Sequence, residues 1–154
     1  SNQIICTTHS PYVYQDCVNK PNTELTVCTK DQNDKISFDS ITASSLFPWS
    51  PSWGEINFRA FGLPTVELHN ELYGRIQDIN GTHTIAATEA FFISQGIQQS
   101  KPYVKIHQGT PQPPSNSTIM TYIRNKIHHP ENTLNPDFTD QEIYDSIEIM
   151  MGIV

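Results

Sequence analysis

The chain has 154 residues, a net charge of −7, and only 16% charged against 36% hydrophobic residues. That length suits one ordinary domain or two small ones, and the acidic balance excludes the overall basic footprint of a nonspecific nucleic-acid binder. No run approaches the ~20 apolar residues of a membrane span, and no signal-peptide pattern stands at the start, so no membrane partner is expected. Three cysteines (Cys6, Cys17, Cys28) without a CxxC pair argue against a disulfide framework and against a zinc site. They point to a reducing, cytoplasmic compartment. The chain opens at Ser1 without Met, inside a strand-like run, so natural sequence is expected upstream.

In chain order, residues 4–8 (IICTT) form a short β-rich apolar run suited to a buried strand, with Cys6 as a small hydrophobe inside it. Residues 24–30 (ELTVCTK) and 35–40 (KISFDS) each alternate apolar and polar positions. With the polar turn 31–34 between them they predict a β-hairpin. Residues 44–53 hold two Pro and two Trp and predict a packed loop, with Tyr12, Tyr14, Trp49, Trp53 and Phe58 packing against a sheet rather than stacking on bases. From residue 63 the pattern turns helical. Pro64 can open a helix, Leu68, Leu72, Ile76 and Ile79 form a stripe, and Asn80-Gly81 ends it. Residues 84–99 predict a second helix with Ile85, Thr88, Phe92 and Gln95 on one face. Residues 101–116 contain four Pro and predict a loop. A third helix spans 117–129, with Ile119, Ile123 and Ile127 in register, and Pro130 stops it. Thr139 and Glu142 form a capping-box pattern for a last helix carrying Ile143, Ile147, Met150 and Val154. The expected fold class is α+β, with strands over residues 1–62 and a four-helix bundle over residues 63–154.

Residues 101–129 hold Lys101, Lys105, Arg124 and Lys126 and no acid, a local bias that can face RNA. Glu67 and Glu71 share a helical face at i, i+4, and His69 does not join them. These three read as a solvated face, and no metal site is expected.

The strand-like run ends in Thr7-Thr8-His9-Ser10-Pro11. A His delivered at the C-terminal end of a buried strand can donate to a phosphate oxygen, helped by flanking hydroxyls. QIICTTHSPYVYQD resembles the His-switch segment of SMC/ABC-like (OLD-like) ATPases. The resemblance covers about 14 residues. It implies that His9 senses the γ-phosphate beside Thr8 and Ser10, and that residues 1–62 complete an ATPase sheet. No GxxxxGK[ST] loop, LSGG-type signature or Walker B strand occurs in the chain, so ATP and Mg2+ are expected only with a complete ATPase domain.

A second segment is Arg124-Asn125-Lys126-Ile127-His128-His129. RNA cleavage without metal needs a base for the 2′-hydroxyl, an acid for the leaving 5′-oxygen and a fixed cation for the phosphorane. His serves the first two near neutral pH, and Arg grips phosphate bidentately. On a straight helix five residues turn through about 140°, so Arg124 shares a face with His128 rather than His129. Pro130 takes His129 out of helical geometry, and a partner subunit can supply a missing half. His129 is therefore the first candidate and His128 the second. Either imidazole at a helix C-terminus is expected to favour the protonated form.

The motif is similar to that of the HEPN superfamily of helical ribonucleases: Arg, a polar residue, then His after four to six residues. The resemblance implies catalytic Arg124, Asn125 and His129, no cofactor for cleavage, and a homodimer joining two motifs. It also implies a phage-defence ATPase whose effector bundle cuts RNA. The rival expectation is a noncatalytic module that dimerises the ATPase or docks a separate effector protein, with Ile143 and residues 147–154 as its contact face.

Overall fold

The computed structural model describes residues 3–18, 20–30, 33–41 and 46–154, the side chain of residue 41 excepted. It is a mixed α+β chain that divides into two compact units, Ser1–Leu63 and Pro64–Val154.

The first unit holds helix α1 (Pro11–Cys17), strands β1 (Leu25–Lys30) and β2 (Ile36–Ile41) and helix α2 (Trp53–Phe61). The two strands pair antiparallel, Leu25 opposite Ile41 and Lys30 opposite Ile36. Thr29 and Ser37 hydrogen-bond across the pair at 2.6 Å. Residues 31 and 32 of the expected turn, 44 and 45 of the expected loop and Ser1 lie outside the described residues. The expected strand at 4–8 is not one here: these residues have no regular structure, and Ile4 and Ile5 are 91% and 82% exposed. A β-prone run becomes a strand only against a partner strand, and none pairs with it among the described residues. Cys6 is correspondingly exposed rather than packed.

The two helices of this unit were not expected from the sequence, which pointed to strands and loop over residues 1–62. Pro11 occupies the first turn of α1, where its missing N–H costs nothing. In α2, Ser52 and Glu55 make a full capping box, with Ser52 N–H donating to Glu55 Oε2 at 2.8 Å. Trp53 therefore begins a helix instead of ending a loop; its ring meets Tyr12 edge-on at 5.1 Å.

The second unit is built from α3 (Val66–Asn80), α4 (Ile85–Ser94), α5 (Ile119–His128) and α6 (Asp140–Met151). Helices α3, α5 and α6 pack on one another around Leu68, Leu72, Ile76, Met120, Ile123, Ile143, Ile147 and Met150, all buried. Helix α4 docks through Phe92, whose ring meets Tyr73 edge-on at 5.7 Å. Ile79, the last position of the predicted stripe, is exposed, and the buried face of α3 instead includes His69 and Tyr73. Each helix start carries a hydroxyl cap: Thr65, Thr84, Thr118 and Thr139 each accept from the N–H three residues on.

The predicted loop 101–116 is instead a small hairpin arm. Strand β3 (Lys101–Tyr103) pairs with β6 (Ser115–Ser117), and β4 (Ile106–His107) with β5 (Thr110–Pro111). The turn residues Gln108 and Gly109 both have positive φ, 48° and 77°, the left-handed pair that tight two-residue hairpins require. Proline is tolerated because each ladder is only two strands wide, so a missing donor can face outward.

Candidate functional site

Helix α5 places the RNA-cleavage candidates. Its C-terminal half runs Arg124-Asn125-Lys126-Ile127-His128, and His129 sits just beyond with φ −132° and ψ 59°. The backbone N–H of His129 still donates to Asn125 O at 2.9 Å, so the residue stays at the helix end while its side chain leaves the helical register. The Arg124 Nη1 donates to Asn125 Oδ1 at 3.3 Å. His128 and His129 are both exposed. His129 Nδ1 lies 3.2 Å from Glu131 Oε1.

Beneath this end of α5 lies a polar interior. His69 on α3 is fully buried, with Nε2 3.0 Å from Ser146 Oγ on α6 and Nδ1 without a hydrogen-bond partner. Burial, reinforced by the positive charge of His128, pushes the His69 pKa down to about 3. The reading of His69 as part of a solvated face is corrected: it is core. Glu67 remains exposed, so the two do not share a surface. Tyr73, one turn on, exchanges a hydrogen bond with Thr121 on α5 at 3.2 Å, and its phenol pKa is raised by burial.

The electrostatics of His128 overturn one expectation. Burial, then Arg124, then His129 hold its pKa below the ordinary histidine value. The helix-end dipole does not prevail over the loss of solvation and the nearby Arg124 guanidinium. His128 is therefore neutral near pH 7 and suits a base.

The acid-free segment is less cationic than its sequence reads. Lys101 is paired with Glu142 and lies over the Tyr122 ring at 5.5 Å. Lys126 is buried, donating to Asn135 O at 3.0 Å and pairing with Asp137 at 3.0 Å. Arg124 and Lys105 are left to meet a polyanion.

The segment that follows His129 was missed in the sequence, and it is tightly held. Asn132 Nδ2 and Asn135 Nδ2 both donate to Val104 O, at 2.8 and 3.0 Å. Val104 N–H donates to Asn135 Oδ1 at 2.7 Å, and Tyr122 OH donates to Pro136 O at 2.6 Å. The asparagine bonds tie the arm, and the Tyr122 bond ties α5, to the segment that follows Glu131. The signal lay in the Asn-x-x-Asn spacing, since Asn supplies donor and acceptor together.

Of the residues expected on a contact face, Ile143, Ile147 and Met150 are buried within the second unit, where they hold α6 to α3 and α5, while Ile149 is exposed. In the first unit, Thr8, His9 and Ser10 sit in exposed or half-exposed chain, with Ser10 N–H donating to Thr8 Oγ1 at 3.0 Å. They offer two hydroxyls and one imidazole. Among the described residues no three His, Cys, Asp or Glu side chains converge as a metal site, and no helix is long and apolar enough to cross a membrane. Comparison of the chain with protein-family models, with curated proteins and with solved structures finds no match.

Proposed function

We propose that the second unit is a HEPN-like, metal-independent endoribonuclease, and that the first unit belongs to an SMC/ABC-like defence ATPase acting in the cytoplasm. The observation that carries the reading is the grouping at the end of α5: Arg124 bonded to Asn125, a neutral His128 beside Arg124, and His129 turned out of the helix. These are the three kinds of group that transesterification needs.

In the proposed reaction a base (His128 or His129) takes the proton of the 2′-hydroxyl. The 2′-oxygen attacks the adjacent phosphorus, forming the O2′–P bond. Arg124 balances the phosphorane charge and Asn125 positions a phosphate oxygen. The P–O5′ bond breaks, the second imidazole (from the same or a paired copy) returns a proton to the 5′-oxygen, and the products are a 2′,3′-cyclic phosphate and a 5′-hydroxyl. ATP would act through a complete ATPase domain, with His9, Thr8 and Ser10 near the terminal phosphate; no chemical step on RNA passes through it.

The test is cleavage of tRNA, rRNA and mRNA by the full-length protein in EDTA, comparing wild type with Arg124→Ala and His129→Ala. Loss of a fixed cation of this kind costs roughly 10²–10³-fold in rate. Retained folding with lost cleavage in both variants supports the reading, and a wild type that cuts none of the three RNAs refutes it.

A further inference from the structure

We infer that Glu131 is a positioning residue for His129, holding its imidazole in one tautomer and presenting Nε2 to the RNA. The inference rests on the nuclease reading above.

Glu131 Oε1 lies 3.2 Å from His129 Nδ1. A carboxylate only accepts hydrogen bonds, so Nδ1 must carry the hydrogen, and Nε2 is left with the lone pair that takes or returns a proton. The same division of labour operates wherever a carboxylate orients a catalytic imidazole. Glu131 is suited to it because its carboxyl stays ionised: its own backbone N–H, then the hydrogen bond from His129, hold the pKa below the usual range.

Two exposed side chains, 53% for His129 and 71% for Glu131, would ordinarily drift apart, since surface pairs contribute little. Here the backbone removes that freedom. Asn132 N–H donates to His129 O at 3.0 Å and Thr133 N–H to Glu131 O at 3.0 Å. The next residues are fixed by Asn132 and Asn135 on Val104 and by Lys126 on Asn135 O. Pro130 between the pair removes a further rotation. The charged groups facing His129 are thus Glu131 from its own turn and His128 from α5, with Arg124 acting on His128.

The experiment pairs nitrogen-detected NMR of His129 with cleavage of a fluorescent oligoribonucleotide by the full-length protein across pH 5–9. Wild-type His129 is expected as the Nδ1–H tautomer. Glu131→Ala should return it to the Nε2–H form preferred by free imidazole, lower kcat about tenfold, a modest share of the ~10²–10⁴-fold a positioned acid–base group supplies, and shift the pH limb, with KM little changed. Glu131→Gln keeps an acceptor and should restore the tautomer and part of the rate. An Nε2–H tautomer in wild type, or a Glu131→Ala enzyme with unaltered rate and pH profile, overturns the role of Glu131 and leaves the nuclease reading standing. A wild type that does not cut refutes both.

Discussion

The Nε2 of His69 lies 3.0 Å from the Oγ of Ser146, joining α3 to α6 across 77 residues of chain. The ring is fully buried and its other nitrogen is unpartnered, so the folded state admits the neutral imidazole only.

Acid sensitivity follows from that burial. The folded pKa is about 3 against an ordinary 6.5, so the unfolded chain binds a proton that the folded chain refuses. Stability is complete above pH 6.5 and is lost as pH falls toward 3, by about 1.4 kcal/mol per pH unit for this group. His69→Gln should lower stability at pH 7.5 yet flatten the decline between pH 6.5 and 5. Urea midpoints across that window decide it: equal slopes for variant and wild type would show that His69 is not the group responsible.

Lys126 and Asp137 form one ion pair with unequal consequences. Lys126 is buried and also serves Asn135 O, whereas the Asp137 side chain is 93% exposed. Lys126→Met strands buried acceptors and should cost roughly 2 kcal/mol. Asp137→Asn removes only a solvent-screened partner and should cost under about 1 kcal/mol. Thermal or urea unfolding of both variants checks the order; a larger loss in Asp137→Asn would contradict it.

The helices of the second unit were legible because a 3.6-residue stripe and a hydroxyl cap are local signals. Thr139 and Glu142 make the expected capping box, and Leu68, Leu72 and Ile76 lie where their spacing puts them. What failed was nonlocal. Burial of His69 depends on Ser146, and the hairpin arm depends on a left-handed turn at Gln108-Gly109. Isolated strand propensity at Ile4 and Ile5 had no partner strand among the described residues. At the candidate site, the adjacency of Arg124, Asn125, His128 and His129 at the end of α5 follows from their sequence spacing. That of Glu131 does not, because a carboxylate directly after a proline signals nothing until the loop that holds it is known.

Caps of similar sequence should differ in weight. Thr139 caps α6 at the surface, and Thr139→Ala should cost about 1 kcal/mol. Thr118 is fully buried and offers both its N–H and its hydroxyl to Glu89, each at 2.7 Å. Thr118→Ala loses the cap and leaves a carboxylate oxygen short of a donor, so a cost of roughly 2–3 kcal/mol is expected. Chemical denaturation measures the two side by side, and equal costs would mean that Glu89 rearranges to another donor.

His128 should titrate below 6.5 because burial, Arg124 and His129 all disfavour its charged form. The acid limb of cleavage governed by this residue then lies on the acid side of an ordinary histidine, since a base acts only while neutral. Arg124→Ala removes one cation and should move the His128 titration upward, though not fully, because burial is the larger cause. Arg124→Lys keeps the charge and should leave the titration low while slowing cleavage, because an ammonium does not grip phosphate in the bidentate manner of a guanidinium. NMR titration of His128 in the three proteins separates the two roles of Arg124. A titration unmoved by Arg124→Ala would mean that the guanidinium does not act on this imidazole, and the slower cleavage of that variant would then report the phosphorane contact alone.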